Sequence, residues 1–215
     1  MVFIGLEQII KDYTPDKFTS GELYVIEKIW EDLAEKSSQI IYTNEHGINK
    51  EIFQNYINID GLLGVRIFEV FDSSSKGYLD LVDFTNGLEI ICFGNPTVYG
   101  KFLFDIFDVN KDNKIKKEYM STIINSIPHR YICKCIHEHN SVSDICSESE
   151  NKFDYENWTN NCVCADAFNN FDVNHHDYLE LDEFMKWLDL ESTHFLSSYI
   201  KDSISYHIQT ETKRK

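Results

Sequence analysis

Proline and glycine are both scarce, at 3 and 9 of 215 residues. That argues against an all-β chain built on tight turns and suits helices with short connections. Methionine is rare too, at 3, which disfavours a soft, promiscuous binding surface. Basic residues are outnumbered, 20 Lys and Arg against 36 Asp and Glu, for a net charge of −16. Such a chain repels phosphate backbones, so nucleic acid is a poor partner. No apolar run is long enough to span a bilayer, and no signal-peptide pattern opens the sequence. The second residue is Val2 rather than Gly, so the chain as written carries no N-myristoyl site or other visible membrane anchor. A cytoplasmic protein with free thiols is expected. There is no P-loop, no Gly-x-Ser-x-Gly and no His-Glu-x-x-His, and the reading is of a protein that is not an enzyme.

What is present is apolar, aromatic and acidic. Apolar residues make up 42% and aromatics 14%, including 15 Phe and 12 Tyr, enough for a sizeable core. The acidity suits cations or a basic amphipathic helix; it also suits plain solubility. An internal repeat is the main signal. Phe71-Asp72 to Phe84, Phe107-Asp108 to Met120 and Phe171-Asp172 to Phe184 share one pattern of aromatic, Asp, polar stretch and aliphatic. The aliphatic is Leu79, Ile115 or Leu179, always at the eighth place from the Asp. Phe68 and Phe71, Phe104 and Phe107, and Phe168 and Phe171 are each spaced to share one helix face, and the residues after each loop repeat that period. The spacing predicts helix, twelve-residue loop, helix, three times. A cryptic first copy ends in Gly47-Ile48-Asn49-Lys50-Glu51-Ile52-Phe53, behind a helix bearing Leu23, Ile26, Ile29, Trp30 and Leu33. Its loop is overlong and poor in oxygens, so it reads as a structural partner for the second copy.

Twelve residues between helices is the length that wraps calcium in oxygens from the first, third, fifth, seventh, ninth and twelfth places. The second loop offers Asp72, Ser74, Lys76, Tyr78, Asp80 and Asp83 there, with Gly77 at the turn. Lys76 brings a cation where an oxygen should be, so weak calcium, magnesium or no binding all fit. The third loop offers Asp108, Asn110, Asp112, Lys114, Lys116 and Tyr119, with Asn113 at the turn. Tyr119 has no carboxylate and Glu118 is one place early, so binding needs a one-residue slip. The fourth loop offers Asp172, Asn174, His176, Tyr178, Glu180 and Glu183, and it alone keeps Glu at the twelfth place. The order for calcium is fourth, third, second. Since no loop is complete, the alternative is a calcium-independent scaffold or adaptor with degenerate loops.

Phe18-Thr19-Ser20-Gly21-Glu22-Leu23 through Trp30-Glu31-Asp32-Leu33, followed by the Gly47 to Phe53 stretch, resembles the calcineurin B-like proteins and their neighbours, the neuronal calcium sensors. The likeness continues through Arg66-Ile67-Phe68-Glu69-Val70-Phe71-Asp72 and Leu103-Phe104-Asp105-Ile106-Phe107-Asp108. It returns at Phe195-Leu196-Ser197-Ser198-Tyr199-Ile200-Lys201-Asp202. The resemblance implies an all-α fold: four EF-hands in two paired lobes, with an insertion between the third and fourth hands. The N-terminal lobe then spans 1–98 and the C-terminal lobe 99–190, with the insertion at about 128–157 and a tail at 191–215. It also implies a calcium sensor whose hydrophobic groove takes a helical segment of a protein kinase or a phosphatase catalytic subunit. In such relatives the C-terminal segment can cover the groove when no target is bound.

The insertion carries Cys133, Cys135, His137, His139 and Cys146, with Cys162 and Cys164 after it. A Cys/His cluster invites zinc, but Cys-x-Cys and His-x-His are not the usual ligand spacing, which argues against it. A surface loop or oxidation-sensitive thiols are the other readings. Cys164 fits the apolar face of the fourth entering helix.

Overall fold

The computed structural model describes residues 18–40, 46–128, 155–190 and 194–213, with side chains for all of these except 40, 155–162, 194 and 205–213. The described residues hold nine helices and four two-residue strands. In chain order they are α1 (Ser20–Ile40), β1 (Ile48–Asn49), α2 (Lys50–Ile57), α3 (Gly61–Phe71), β2 (Tyr78–Leu79), α4 (Leu81–Phe93) and α5 (Pro96–Phe107). Then follow β3 (Ile115–Lys116), α6 (Lys117–Asn125), α7 (Tyr155–Phe171), β4 (Tyr178–Leu179), α8 (Leu181–Leu188) and α9 (His194–Lys213).

Local chemistry sets the helix ends. Asn95 accepts from the Val98 N–H at 2.9 Å and Pro96 opens α5, where its missing N–H costs nothing. Asp80 with Asp83, and Glu180 with Glu183, form reciprocal capping boxes at the starts of α4 and α8. Asn49 caps α2 by accepting from the Ile52 N–H at 2.9 Å.

The strands pair antiparallel as β1 with β2 and β3 with β4, through Ile48 opposite Leu79 and Ile115 opposite Leu179. These are the eighth-place aliphatics and the isoleucine of the cryptic copy, all fully buried. Gly47 is required just before β1, because a Cβ there would stand 2.4 Å from the Tyr78 ring and 2.9 Å from the Leu79 carbonyl. The cryptic copy is held by side chains. The Trp30 indole N–H donates to the Leu79 carbonyl at 3.1 Å, and the Ser37 hydroxyl accepts from the Asn49 N–H at 3.0 Å while donating to the Leu33 carbonyl at 2.9 Å. Trp30 and Ser37 thus tie α1 directly to the strand pair.

The core is aromatic and continuous. Phe53 meets Phe68 and Phe71 in the first half; Phe184 meets Phe104, Phe107 and Trp187 in the second. Phe71 and Phe102, 6.2 Å apart, join the two. Edge and tilted ring contacts of this kind add to area burial. A polar clamp also joins the halves. Arg66 of α3, with a side chain 4% exposed, donates to the carbonyls of Asp105, Ile106 and Asp108 at 2.6, 3.0 and 2.9 Å. These acceptors lie at the C-terminus of α5, where a cation is favoured; of the three, the Asp108 carbonyl also has a second donor, the Lys111 N–H at 3.3 Å.

Candidate metal loops and the covered groove

The three loops share one backbone frame. Positive φ recurs at the fourth and sixth places: Ser75 and Gly77, Lys111 and Asn113, His175 and Asp177. Asn and Asp tolerate that region, which explains how Asn113 and Asp177 stand where Gly is usual. The first-place aspartates Asp72, Asp108 and Asp172 are buried. Each accepts the N–H groups of the fifth and sixth residues, at 2.8 and 2.7 Å for Asp72, 3.2 and 2.8 Å for Asp108, and 3.0 and 2.9 Å for Asp172. The frame therefore does not distinguish the loops; the side chains do.

In the second loop the Lys76 ammonium bridges two carboxylates, bonding Asp80 and reaching Asp83 at 2.7 Å. Those bonds hold the Lys76 ammonium above its ordinary range. Burial works to raise the Asp80 carboxyl, but the bond from Lys76 leaves it below the usual range; for the deeper Asp83, burial wins and the carboxyl is pushed up. Ser74 is exposed.

The third loop keeps the common register: Ile115 pairs with Leu179 and positive φ falls at the standard places. The slip that would bring Glu118 to the twelfth place is not seen; Glu118 is exposed and Tyr119 holds that place. Lys114 lies 4.1 Å over the Tyr178 ring of the neighbouring loop. Between Asp108 and Tyr119 four lysines face three acids, whereas between Asp172 and Glu183 there are five acids and no Lys or Arg. A hard dication is favoured by the second balance and repelled by the first.

In the fourth loop Glu183 is 5% exposed and folds back over the loop start, accepting from the Val173 N–H at 3.2 Å and the Glu180 N–H at 3.0 Å. Asp172 is buried beside it, also at 5%. Among the described residues no Lys or Arg bonds either carboxylate. Each of these carboxylates accepts two backbone N–H groups and keeps acceptor capacity for more, and an oxygen donor set of this kind fits a hard ion. His176 stacks on Tyr178 with centroids 5.4 Å apart, so its ring is engaged with the seventh residue. As the side chains stand, no group of three or more His, Cys, Asp or Glu among the described residues is gathered tightly enough to hold a metal. The outer ligands Asn174 and Glu180 are exposed and would have to close on it.

Helix α9 lies against α1, α2 and α4. It buries Phe195, Leu196, Tyr199, Ile200 and Ile204, and Lys201 sits 4.7 Å over the Tyr99 ring. The segment read from sequence as a tail is thus a packed helix on an apolar groove in the first half. Cys164 is buried on α7 beside Phe168, as its spacing required. Cys133, Cys135, His137, His139 and Cys146 lie outside the described residues, as does the side chain of Cys162. No described helix is long and apolar enough to cross a membrane.

A recoverin family protein of Dictyostelium discoideum is 24% identical over 188 residues, covering 85% of this chain and 79% of that protein. Human and bovine calaxin are each 28% identical over 79 residues, 34% of this chain. The likeness is to EF-hand calcium sensors. It holds at low identity and does not single out the calcineurin B-like branch. The chain spans 37% of the length of the calaxins it matches. No family model matches the chain.

The Lys76 bridge, the Arg66 clamp and the contacts of Trp30 and Ser37 were missed in the sequence reading. Lys76 was legible as an intruding charge, but its two partners follow only from the fold of the loop. Arg66 gave no signal, because its partners are backbone carbonyls about 40 residues away.

Proposed function

We propose that this chain is a calcium-responsive regulatory protein that grips an amphipathic helix of a protein kinase or phosphatase in the groove now held by α9. The observation that carries this reading is the buried α9 face, Phe195, Leu196, Tyr199, Ile200 and Ile204, seated on α1, α2 and α4. A groove that takes one amphipathic helix of the same chain has the shape and apolarity to take another in its place. The kinase or phosphatase identity rests on the resemblance to calcineurin B-like proteins. Low Met and high Phe favour one dedicated partner.

Calcium belongs at the fourth loop in this reading, held by Asp172, Asn174, Glu180, Glu183 and the Tyr178 carbonyl. When bound there, calcium would supply a fixed dication, and Asn174 and Glu180 would close on it between the flanking helices α7 and α8. The third loop is the next candidate through Asp108, Asn110 and Asp112. A second reading, a calcium-independent adaptor, is favoured by Lys76 in the second loop and by the lysines of the third.

Co-precipitation with the full chain, in calcium and in chelator, separates these. Recovery of one kinase or phosphatase catalytic subunit in calcium alone supports the sensor. Equal recovery in both conditions selects the adaptor. Many unrelated proteins would sink the dedicated-partner reading.

A further inference from the structure

The second loop has the backbone of a cation loop but carries a cation of its own. Asp72 is satisfied by the N–H groups of Lys76 and Gly77. The remaining acidic places, the ninth and twelfth, are both bonded by the Lys76 ammonium. Asp80 and Asp83 are in turn the capping box of α4, so the ammonium is fastened to the first turn of that helix. Lys76 is also 5.5 Å from the centroid of Tyr78, the first residue of β2. One side chain therefore links the loop, the strand pair and the exit helix, as an ion held by the ninth and twelfth places would. It is only 26% exposed and Asp83 only 10%, so the contact is not a loose surface pair.

We propose that the Lys76 ammonium is a tethered surrogate ion that keeps the second hand closed at all calcium concentrations. The first half of the molecule is then structurally complete without metal. A dication entering this loop would have to displace an ammonium already hydrogen-bonded to two of its ligands. The groove under α9 is framed by α1, α2 and α4 of this metal-indifferent half. Calcium therefore does not open that groove from within; opening comes from a competing helix or from the second half. The inference stands whether or not the fourth loop binds calcium, because it concerns only the second.

The test uses the full chain and four variants, with calcium titration calorimetry and thermal unfolding in chelator and in calcium. Lys76→Asn supplies an oxygen at the fifth place, and is made alone and with Asp83→Glu. Lys76→Met supplies neither charge nor oxygen. The Lys76→Asn/Asp83→Glu protein is expected to gain one calcium site absent from the wild type. It should also melt lower in chelator by about 3–6 °C and recover in calcium. Lys76→Met should melt lower in both. Asp83→Ala in the wild-type background, a measurement that needs no gain of function, should leave the calcium stoichiometry unchanged. The proposal is overturned if the double variant folds and gains no site, if Lys76→Met melts like the wild type, or if Asp83→Ala removes a calcium site.

Discussion

Replacing Arg66 by methionine removes a guanidinium that is almost wholly buried and leaves its stem volume in place. Four acceptors lose their donor: the carbonyls of Asp105, Ile106 and Asp108, and the Glu69 carboxylate at 2.5 Å. Glu69 is 34% exposed and keeps Lys50 at 3.6 Å, so it contributes little to the loss. The Asp105 and Ile106 carbonyls lie at the C-terminus of α5 and have no comparable substitute, while the Asp108 carbonyl keeps the Lys111 N–H at 3.3 Å. Each hydrogen bond to a charged donor is worth about 1.5–3 kcal/mol net. The three are not additive, and a buried carbonyl left without its donor costs about 1–3 kcal/mol. The expected loss is therefore about 3–5 kcal/mol, a large share of the roughly 5–15 kcal/mol that holds a domain folded. Urea unfolding followed by far-ultraviolet circular dichroism reads it as a lowered midpoint at unchanged slope. Arg66→Lys keeps the charge but loses the planar fork that reaches three carbonyls at once, and should fall between. A loss below about 1 kcal/mol for Arg66→Met, the range of an exposed ion pair, would refute the clamp.

Gly47→Ala drives a methyl into the Tyr78 ring and the Leu79 carbonyl. It should destabilise by about 1–3 kcal/mol and speed amide exchange at the β1–β2 pair. Trp30→Phe deletes the buried bond to the Leu79 carbonyl and should cost about 1–3 kcal/mol in the same urea assay. Burial pushes the Cys164 thiol up to about 11. Native protein should thus resist iodoacetamide at this residue at neutral pH while urea-unfolded protein reacts, as read by peptide mass spectrometry. Equal labelling rates would contradict the buried placement. Because the unfolded thiol ionises first, the contribution of Cys164 to stability is complete below pH 9.0 and is lost as pH climbs toward about 11.

Much of the helical frame was legible because it rests on local periodicity. Phe104 with Phe107, and Phe184 with Trp187, announce core faces by spacing alone. The eighth-place aliphatics announce strand pairs, and even the cryptic copy was found from Ile48 and Gly47. Asn113 was recognisable as a turn residue because Asn is among the few side chains that accept positive φ. The site was less legible, because it depends on charges brought together by the fold. Lys76 reads as a spoiled ligand until its ammonium is seen between Asp80 and Asp83. The third loop looked promising from Asp108, Asn110 and Asp112; its four lysines and fixed register weigh against it once placed. Segment 191–215 read only as a tail, because the surface it packs on is not visible in its own residues. That surface is assembled from α1, α2 and α4, which are distant in sequence.

The fourth loop is proposed as the calcium site, with Asp172 at its first place. In calcium titration calorimetry the wild type should bind calcium, Asp172→Ala should lose that binding, and Asp72→Ala should keep it. Binding that survives Asp172→Ala but disappears in Asp72→Ala would move the site to the second loop and refute the assignment.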